Sequence, residues 1–210
     1  MLKCIKQLIK KVLIIANVIY KGRSSGNTIA LTFDDGPHDK NTEKILEVLD
    51  RYGIKATFFI VGSFATKYPE LVRITVLHGH EIANHSYSHE ATCYHCSEIE
   101  KTNCVITNIT GVTPRLYRPP WGKIKIQQMI FILFHRMKMV LWSIDIFDYI
   151  VKDSNELIDN LKKTKIRPGD IILLHESFKV AMEVLPKIIE NIKERGFEFS
   201  LVSNIIGIKK

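Results

Sequence analysis

Short apolar runs alternate with amphipathic stretches over most of this chain. The apolar runs predict seven strands, at residues 29–33, 56–61, 81–84, 115–117, 140–144, 170–174 and 197–202. The stretches between them have apolar residues at helical spacing and predict helices at residues 41–52, 69–78, 97–109, 124–137, 154–164 and 180–195. Strands that alternate with helices in this way are typical of an α/β protein with a parallel sheet, either open or closed into a barrel.

Polar and ionisable residues follow five of the predicted strands. They are Asp34 and Asp35, His85 and His89, Arg118 and Trp121, Asp145 and Asp148, and His175 and Glu176. Because functional residues of parallel α/β folds lie where strands end and loops begin, these side chains are expected to meet at one face. Burying several ionisable groups together is costly unless a metal ion or a partner compensates their charge.

This set of residues indicates metal-assisted hydrolysis of an acyl bond. His85 and His89 are four residues apart, so one helical turn would place both imidazoles on one side. Two histidines and one carboxylate form a ligand set for a divalent metal with an open position. If one of Asp34 and Asp35 binds the metal, the other is free to act as a base, and His175 is a candidate acid.

Each of these residues alone also has a structural explanation. An Asp-Asp-Gly-Pro stretch is most often a turn, and two histidines four apart are often a surface coincidence. Arg118 could form an ordinary ion pair, and His175 could simply end a strand. Their joint appearance, in order at strand ends, favours the functional interpretation.

The chain resembles the polysaccharide deacetylases of the NodB-homology group, which are carbohydrate esterase family 4. The matching residues run in order over about residues 29–202 and comprise Thr32-Phe33-Asp34-Asp35-Gly36-Pro37, Gly79-His80-Glu81-Ile82, His85-Ser86-x-x-His89, Arg118-Pro119-Pro120-Trp121-Gly122, Asp145-x-x-Asp148-Tyr149 and Leu173-Leu174-His175. The resemblance implies a distorted (β/α) barrel with about seven parallel strands.

The resemblance also assigns roles to residues on the metal side of the site. Asp34 is expected to be the catalytic base, and Arg118 is expected to pair with it and keep it ionised. Asp35, His85 and His89 are expected to hold the metal, which by this resemblance is Zn²⁺, with Co²⁺ or another divalent ion as the alternative.

Further roles concern the leaving group and the acetyl pocket. His175 is expected to be the general acid, and Asp148 is expected to orient it and raise its pKa, with Asp145 as the competitor for that role. The backbone N–H of Trp121 is expected to stabilise the oxyanion. The residues expected to line the acetyl pocket are Trp121, Tyr149 and Leu173.

Three positions depart from the family's pattern. Tyr149 stands where the family usually has Trp, and Trp121 stands where Tyr or Phe is more common. The segment after His89 lacks a proline that is common there. None of these departures removes a catalytic side chain, so we expect an active enzyme.

The resemblance implies removal of N-acetyl groups from N-acetylglucosamine units of a polysaccharide, either peptidoglycan or a chitin-like oligosaccharide. The alternatives within the enzyme class are an O-acetyl xylan esterase and a cyclic amide or imide hydrolase. A non-catalytic carbohydrate-binding module is a further alternative. It is disfavoured because the base, the metal ligands and the acid are all retained.

Composition changes this picture in one respect, the distribution of charge. The 210 residues carry a formal charge of +8, from 30 Lys and Arg against 22 Asp and Glu. Six of the basic residues precede the first acidic residue, and they are Lys3, Lys6, Lys10, Lys11, Lys21 and Arg23. The rest of the chain has 24 basic and 22 acidic residues. This near balance argues against a nucleic-acid partner.

Residues 1–26 are predicted to form a basic amphipathic leader or anchor, and residues 27–210 the catalytic domain. The apolar run at residues 12–20 is broken by Asn17 and is shorter than the roughly 20 residues that span a membrane. A basic amphipathic helix can instead lie on an anionic membrane surface, and docking on the domain is the alternative. The leader predicts a location at the cell envelope or outside the cell, with the cytoplasm as the alternative. It makes no prediction of the oligomeric state.

The four cysteines give only a weak signal. Cys93 and Cys96 have a C-x-x-C spacing, but Cys104 is the only further cysteine nearby, and Cys4 is remote. A structural zinc site usually needs a second matched pair, so free or loosely paired thiols are favoured.

Overall fold

The computed structural model describes residues 18–23, 26–90, 95–151 and 153–208. Nine strands lie in these ranges, and they are β1 Val18–Ile19, β2 Thr28–Gly36, β3 Thr57–Ile60, β4 Glu81–Asn84, β5 Leu116–Tyr117, β6 Lys138–Val140, β7 Ile144–Asp145, β8 Ile171–His175 and β9 Glu198–Phe199. The α-helices there are α1 Thr42–Arg51, α2 Gly62–Lys67, α3 Pro69–Leu77, α4 Cys96–Thr110, α5 Ile126–Phe134, α6 Ser154–Lys163, α7 Lys179–Glu194 and α8 Val202–Ile205, with a 3₁₀ turn at Pro120–Gly122.

The strands form a parallel sheet in the order β1-β6-β5-β4-β3-β2-β8-β7, and β9 pairs with β2 beside this path. All of these strand pairings are parallel. Helices lie in most connections between successive strands, as is usual in a parallel arrangement, whereas β6 and β7 are joined by three residues without a helix. The predicted α/β fold, a distorted barrel of parallel strands, is confirmed, with eight strands along the path where about seven were expected.

Residue alternation along β2 decides which side chains face the helices and which face the inside of the curved sheet. Ile29, Leu31 and Phe33 are fully buried in the main core, which they share with residues of α1 and α7. Because successive strand residues point to opposite faces, Thr32 and Asp34 face the inside of the curved sheet. Here the hydroxyl of Thr32 accepts a hydrogen bond from Arg118 (3.0 Å).

Two predicted strands end differently in the structure. The run at 140–144 divides into β6 and β7, because the carbonyls of Val140 and Leu141 accept hydrogen bonds from the buried Arg118 guanidinium instead of extending one ladder. The run at 197–202 stops at the end of β9. Val202 instead begins α8, and its N–H donates to the hydroxyl of Thr57 (3.0 Å). The short helix α2 was not predicted.

The end of the predicted leader is part of the sheet. Val18 and Ile19 pair with β6, and the ammonium of Lys21 lies 2.9 Å from a carboxylate oxygen of Asp170. The amphipathic part of the leader, Cys4 and Cys93 lie outside the described residues, so those expectations stay predictions. Among the residues that the structure does describe, no helix has the length and apolar character needed to cross a bilayer.

Candidate functional site

Both aspartates at the end of β2 line one cavity, although neighbouring strand residues ordinarily point to opposite faces. The pairing of β2 with β3 shifts register between Asp34 and Gly36. Asp35 has a φ of 65°, in the left-handed region, which takes its side chain out of the strand's alternation. The end of β2 therefore presents two carboxylates to the same space.

His85 and His89 lie on a loop after β4. The prediction that one helical turn separates them is therefore wrong. Their rings lie 4.9 Å apart because the chain turns through left-handed residues at Ser86 and His89, with φ values of 70° and 56°. The carboxylate of Glu98 holds this loop by accepting hydrogen bonds from the backbone N–H groups of Tyr87 (3.2 Å) and Ser88 (2.7 Å). This supporting role of Glu98 was not predicted from the sequence.

Asp35, His85 and His89 together form a group that can hold a metal ion. Their ligand atoms all lie within 4.8 Å of one another. An oxygen of Asp35 is 3.4 Å from Nε2 of His85 and 3.1 Å from Nε2 of His89. That oxygen is buried and has no hydrogen-bond partner in the described part of the chain.

The hydrogen bonding of His85 supports this role. Its Nδ1–H donates to the carbonyl of Arg118 (2.8 Å), which leaves Nε2 on the side of Asp35. A metal-ligating histidine ordinarily makes such a second hydrogen bond through its other ring nitrogen. One carboxylate oxygen and two imidazole nitrogens that converge in this way fit a divalent metal.

Charge states at neutral pH suit the same ligand set. Burial opposes ionisation of Asp35, but His85, His89 and His175 outweigh burial and hold its pKa at about 2. Burial, aided by His85, lowers the pKa of His89. An ionised carboxylate and a neutral imidazole are the forms that bind metal.

Arg118 and Asp34 form a buried ion pair beside the metal ligands. The guanidinium Nη1 donates to Oδ1 of Asp34 at 2.6 Å, and neither side chain is more than 4% exposed. The guanidinium also stacks on the ring of Phe59, 3.9 Å from its centroid. Oδ2 of Asp34 lies 3.6 Å from Nε2 of His85, which places it next to the metal ligands.

His175 stands across the cavity on β8, and Asp148 rather than Asp145 holds it. Nδ1–H of His175 donates to Oδ1 of Asp148 (2.8 Å), and the backbone N–H of His175 donates to Oδ2 (2.7 Å). Burial disfavours the imidazolium, but the bond to Asp148 and the nearby carboxylates raise the pKa of His175 to about 9. Asp145 instead accepts from the N–H of Phe147 (2.8 Å) and the hydroxyl of Tyr149 (3.2 Å).

The cavity between these groups has a volume of about 400 Å³. It brings together the predicted residues Asp34, Asp35, His85, His89, Trp121, Asp145, Tyr149, Leu173 and His175. Arg118 and Asp148 lie behind its wall, since each is paired with a lining residue. Pro119, Trp142 and Phe178 also line the cavity. Sequence reasoning gave these three no role, and Trp142 lay inside a predicted strand.

Glu176 is a buried acid that the sequence placed near the site without a role. It is fully buried, and its backbone N–H donates to the carbonyl of Asp34 (3.0 Å). Its carboxylate accepts from the hydroxyl of Thr42, and one of its oxygens has no hydrogen-bond partner among the described residues. Burial raises the pKa of Glu176 to about 7.

The described cysteines lie outside this site. Cys96 and Cys104 are free thiols, and burial raises the pKa of Cys96. In the described ranges, the residues that could hold a metal are Asp35, His85 and His89.

Comparisons with known proteins show the family to which this chain belongs. The family model described as polysaccharide deacetylase matches residues 21–129. A peptidoglycan-N-acetylglucosamine deacetylase of Bacillus cereus is 31% identical over 200 residues, which cover 91% of this chain and 72% of that protein. The peptidoglycan-N-acetylmuramic acid deacetylase PdaC of Bacillus subtilis is 33% identical over 189 residues, covering 87% of this chain and 39% of PdaC.

A solved structure has the same fold over nearly its whole length. The crystal structure of the Bc1960 peptidoglycan N-acetylglucosamine deacetylase, in complex with an N-hydroxybenzamide compound, superposes with a TM-score of 0.87 at 30% identity. The match covers 94% of this chain and 96% of that chain.

Proposed function

Because this chain belongs to the polysaccharide deacetylase family and is a polysaccharide deacetylase, we propose that it removes N-acetyl groups from N-acetylglucosamine units of peptidoglycan. The observation that carries this proposal is one cavity lined by the Asp34 base, a three-residue metal site and the His175 acid. The names of the relatives support peptidoglycan as the polymer, with N-acetylglucosamine and N-acetylmuramic acid as the alternative sugars.

Asp34 is proposed to take the proton from the attacking water. The Arg118 guanidinium donates to one carboxylate oxygen and stabilises its negative charge, leaving the other oxygen beside the metal ligands. Arg118 has no freedom to move, because it is fully buried and also donates to the carbonyls of Val140 and Leu141. A fixed base spares the reaction the entropy cost of orienting it.

Asp35, His85 and His89 are proposed to hold a divalent ion, with Zn²⁺ favoured by the Asp-His-His ligand set and Co²⁺ as an alternative. When bound there, such an ion acidifies water and polarises the acetyl carbonyl. The neutral state of His89 and the ionised state of Asp35 keep these ligands ready for it at neutral pH.

His175 is proposed to protonate the departing amine. Its raised pKa keeps the imidazole protonated at neutral pH, and two hydrogen bonds to Asp148 fix its tautomer and direction. The proton that Asp34 removes from water and the proton that His175 supplies balance the reaction, in which water and the N-acetyl group give acetate and a free amine.

The backbone N–H of Trp121 is proposed to stabilise the developing oxyanion. Trp121 has a φ of 60° within the 3₁₀ turn at the cavity rim. Leu173 and Tyr149 line the same cavity and are proposed to surround the acetyl methyl group together with the Trp121 ring. The hydrogen bond from the Tyr149 hydroxyl to Asp145 holds the Tyr149 ring at the cavity wall.

The enzyme is also proposed to act at the cell envelope or outside the cell, with the polymer as its partner. The basic segment before residue 18 supports contact with a membrane surface. Fractionation of cells that express the full chain tests this location. Recovery of the protein in the soluble cytoplasmic fraction would contradict it.

Acetate release from a panel of substrates tests the proposed reaction. The panel contains purified peptidoglycan, N-acetylglucosamine oligomers and O-acetylated xylan, each with added Zn²⁺ or Co²⁺. A cyclic imide is tested beside it under the same conditions, and because its hydrolysis opens the ring without releasing acetate, ring opening is measured by liquid chromatography. We expect release from peptidoglycan or from the N-acetylglucosamine oligomers. Asp34→Asn should abolish turnover while metal binding persists, and Asp39→Asn, an exposed acid beyond the motif, is the matched control. Acetate release from xylan alone, or ring opening of the imide alone, would replace the proposed substrate.

A further inference from the structure

Helix α5 is apolar on its outer face as well as its inner face. Its inner residues Met129 and Ile132 are buried in a core cluster with Val18. Its outer residues Ile130, Leu133 and Phe134 are 42%, 43% and 80% exposed, and we call these three the α5 ridge. A surface helix ordinarily has a polar outer face, so the α5 ridge indicates a surface that meets an apolar partner.

The segment of chain that contains the α5 ridge is basic. Residues 101–144 contain seven Lys and Arg and no Asp or Glu. One of the seven, Arg118, is buried against Asp34. Of the others, Lys123 precedes α5 and Arg136 follows it in the chain, and both are exposed. Lys138 comes next, at the start of β6. The near balance of charge over the whole domain thus conceals a segment with a strong positive excess.

Few carboxylates on neighbouring elements offset this charge. Helix α4 and strand β6 pack against α5. The acidic residues of α4 are Glu98 and Glu100, and β6 has none. The Glu98 carboxylate is occupied by Ser86, Tyr87 and Ser88. Glu100 is therefore the one acid of α4 that is exposed.

An apolar ridge with flanking cations matches the chemistry of an anionic lipid surface. Phenylalanine and leucine side chains enter the boundary between headgroups and acyl chains, and Lys and Arg meet the phosphates. The basic segment that precedes residue 18 joins the molecule here, because Val18 packs in the same cluster as the inner face of α5. A polyanionic polymer would account for the cations but would leave the exposed Phe134 unexplained.

We propose that the α5 ridge, with Lys123 and Arg136, is a face by which the domain itself docks on anionic membranes. This inference goes beyond the proposed deacetylation and does not depend on it. Helix α5 begins shortly after the cavity-lining Gly122, so docking through it keeps the catalytic cavity next to the bilayer.

Fluorescence quenching by brominated lipids tests insertion directly in the full-length protein. Phe134→Trp places a fluorophore on the α5 ridge, and Leu77→Trp is the matched control, because Leu77 is 81% exposed at the end of α3. With vesicles of about 30% anionic lipid, we expect the tryptophan at position 134 to be quenched beyond the unsubstituted protein. Equal quenching of the two variants, or none at position 134, overturns the proposal.

Vesicle co-sedimentation measures the strength of docking. Phe134→Ser should weaken partition onto anionic vesicles about tenfold, whereas Leu77→Ser should leave it unchanged. Arg136→Gln should weaken partition at low salt more than Arg51→Gln does, because screening removes headgroup attraction. If all variants bind like the unsubstituted chain, the segment before residue 18 alone binds the membrane and the proposal fails.

Two further measurements distinguish membrane docking from loss of fold and from dimerisation. Thermal unfolding should show the same midpoint for Phe134→Ser and Leu77→Ser, which excludes loss of fold as the reason for weaker partition. Light scattering without lipid should show the same mass for both. A dimer that Phe134→Ser dissociates would identify a second copy of the chain as the occupant of the α5 ridge and would overturn the proposal.

Discussion

At the scale of the residue, one fully buried guanidinium fixes the carboxylate of Asp34. Arg118 is stacked on Phe59 and donates to Asp34, to Thr32 and to two backbone carbonyls. A buried charge with so many partners tolerates no substitution, since removal of one member leaves the others desolvated and unpaired.

Arg118→Leu is therefore expected to lower the free energy of unfolding by about 3–5 kcal/mol. The loss leaves the Asp34 carboxylate and the carbonyls of Val140 and Leu141 without their donors. Urea denaturation followed by circular dichroism measures the change. Arg51→Leu, at an exposed position in the last turn of α1, should stay within about 0.5 kcal/mol. Equal stability of the two variants would contradict the structural role of Arg118.

The pair of His175 and Asp148 gives a prediction for the pH dependence of activity. A general acid works in its protonated form, so activity falls as the pH rises through the pKa of His175, which is about 9. Asp148→Asn removes the negative charge that raises this pKa. The alkaline limb of kcat/KM should therefore move to lower pH, by about 1–2 units.

The matched control for that prediction is Asp145→Asn, because Asp145 bonds Phe147 and Tyr149 and makes no bond to His175 in the structure. It should move the alkaline limb less than Asp148→Asn does. NMR titration of His175 reports its pKa independently of the rate. If the alkaline limb moves equally in both variants, Asp148 has no larger effect than Asp145 on the pKa of His175, and the prediction is wrong.

At the scale of the element, the turn after β2 is fitted against β8. Gly36 ends β2, and a Cβ built on it would lie 1.6 Å from a carboxylate oxygen of Glu176. Glu176 is fully buried and donates its backbone N–H to Asp34, so it has no free space into which to withdraw. Glycine is therefore required in the Asp-Asp-Gly-Pro segment because the end of β2 packs closely against Glu176, the residue that follows β8.

Gly36→Ala is expected to destabilise the fold by about 1–3 kcal/mol and to lower activity by displacing Asp34 and Asp35. Gly26→Ala is the control, since nothing lies within 4 Å of a Cβ at Gly26. Thermal unfolding and acetate release measure the two effects. Glu176→Ala in the Gly36→Ala background should recover part of the lost stability, and failure to recover any would exclude the contact as the cause.

At the scale of the whole molecule, the metal site joins two separate connections of the sheet. Asp35 ends β2, and His85 and His89 follow β4, with β3 between these strands. A ligand that binds only the folded state stabilises it. A metal ion bound at this position would therefore link distant parts of the chain.

Zn²⁺ at about one hundred times its dissociation constant should stabilise the fold by about 2.7 kcal/mol. For a domain of this size, each kcal/mol raises the melting midpoint by about 2–4 °C. His89→Ala should lose most of this increase, whereas the exposed His135→Ala should keep it. Differential scanning calorimetry with and without a chelator makes the measurement. An unchanged midpoint on adding Zn²⁺ to the unsubstituted protein would count against the metal site.

The sequence by itself determined the alternation of strands and helices and the candidate site residues at the strand ends. β4 begins and ends at the predicted residues, and α1, α3, α4 and α6 lie within two residues of their predicted bounds. These features depend on the periodicity of neighbouring residues and on local motifs, which a chain displays without folding.

The tertiary structure alone decided which groups meet and in what state. It turned Asp35 into the left-handed region, pointed Nε2 of His85 at that carboxylate, and packed Glu176 against Gly36. It also left the outer face of α5 apolar and exposed. Such features arise because a curved parallel sheet brings together side chains far apart in sequence, as with Arg118 and Asp34, 84 residues apart. No local pattern encodes the distance, burial or direction of such contacts.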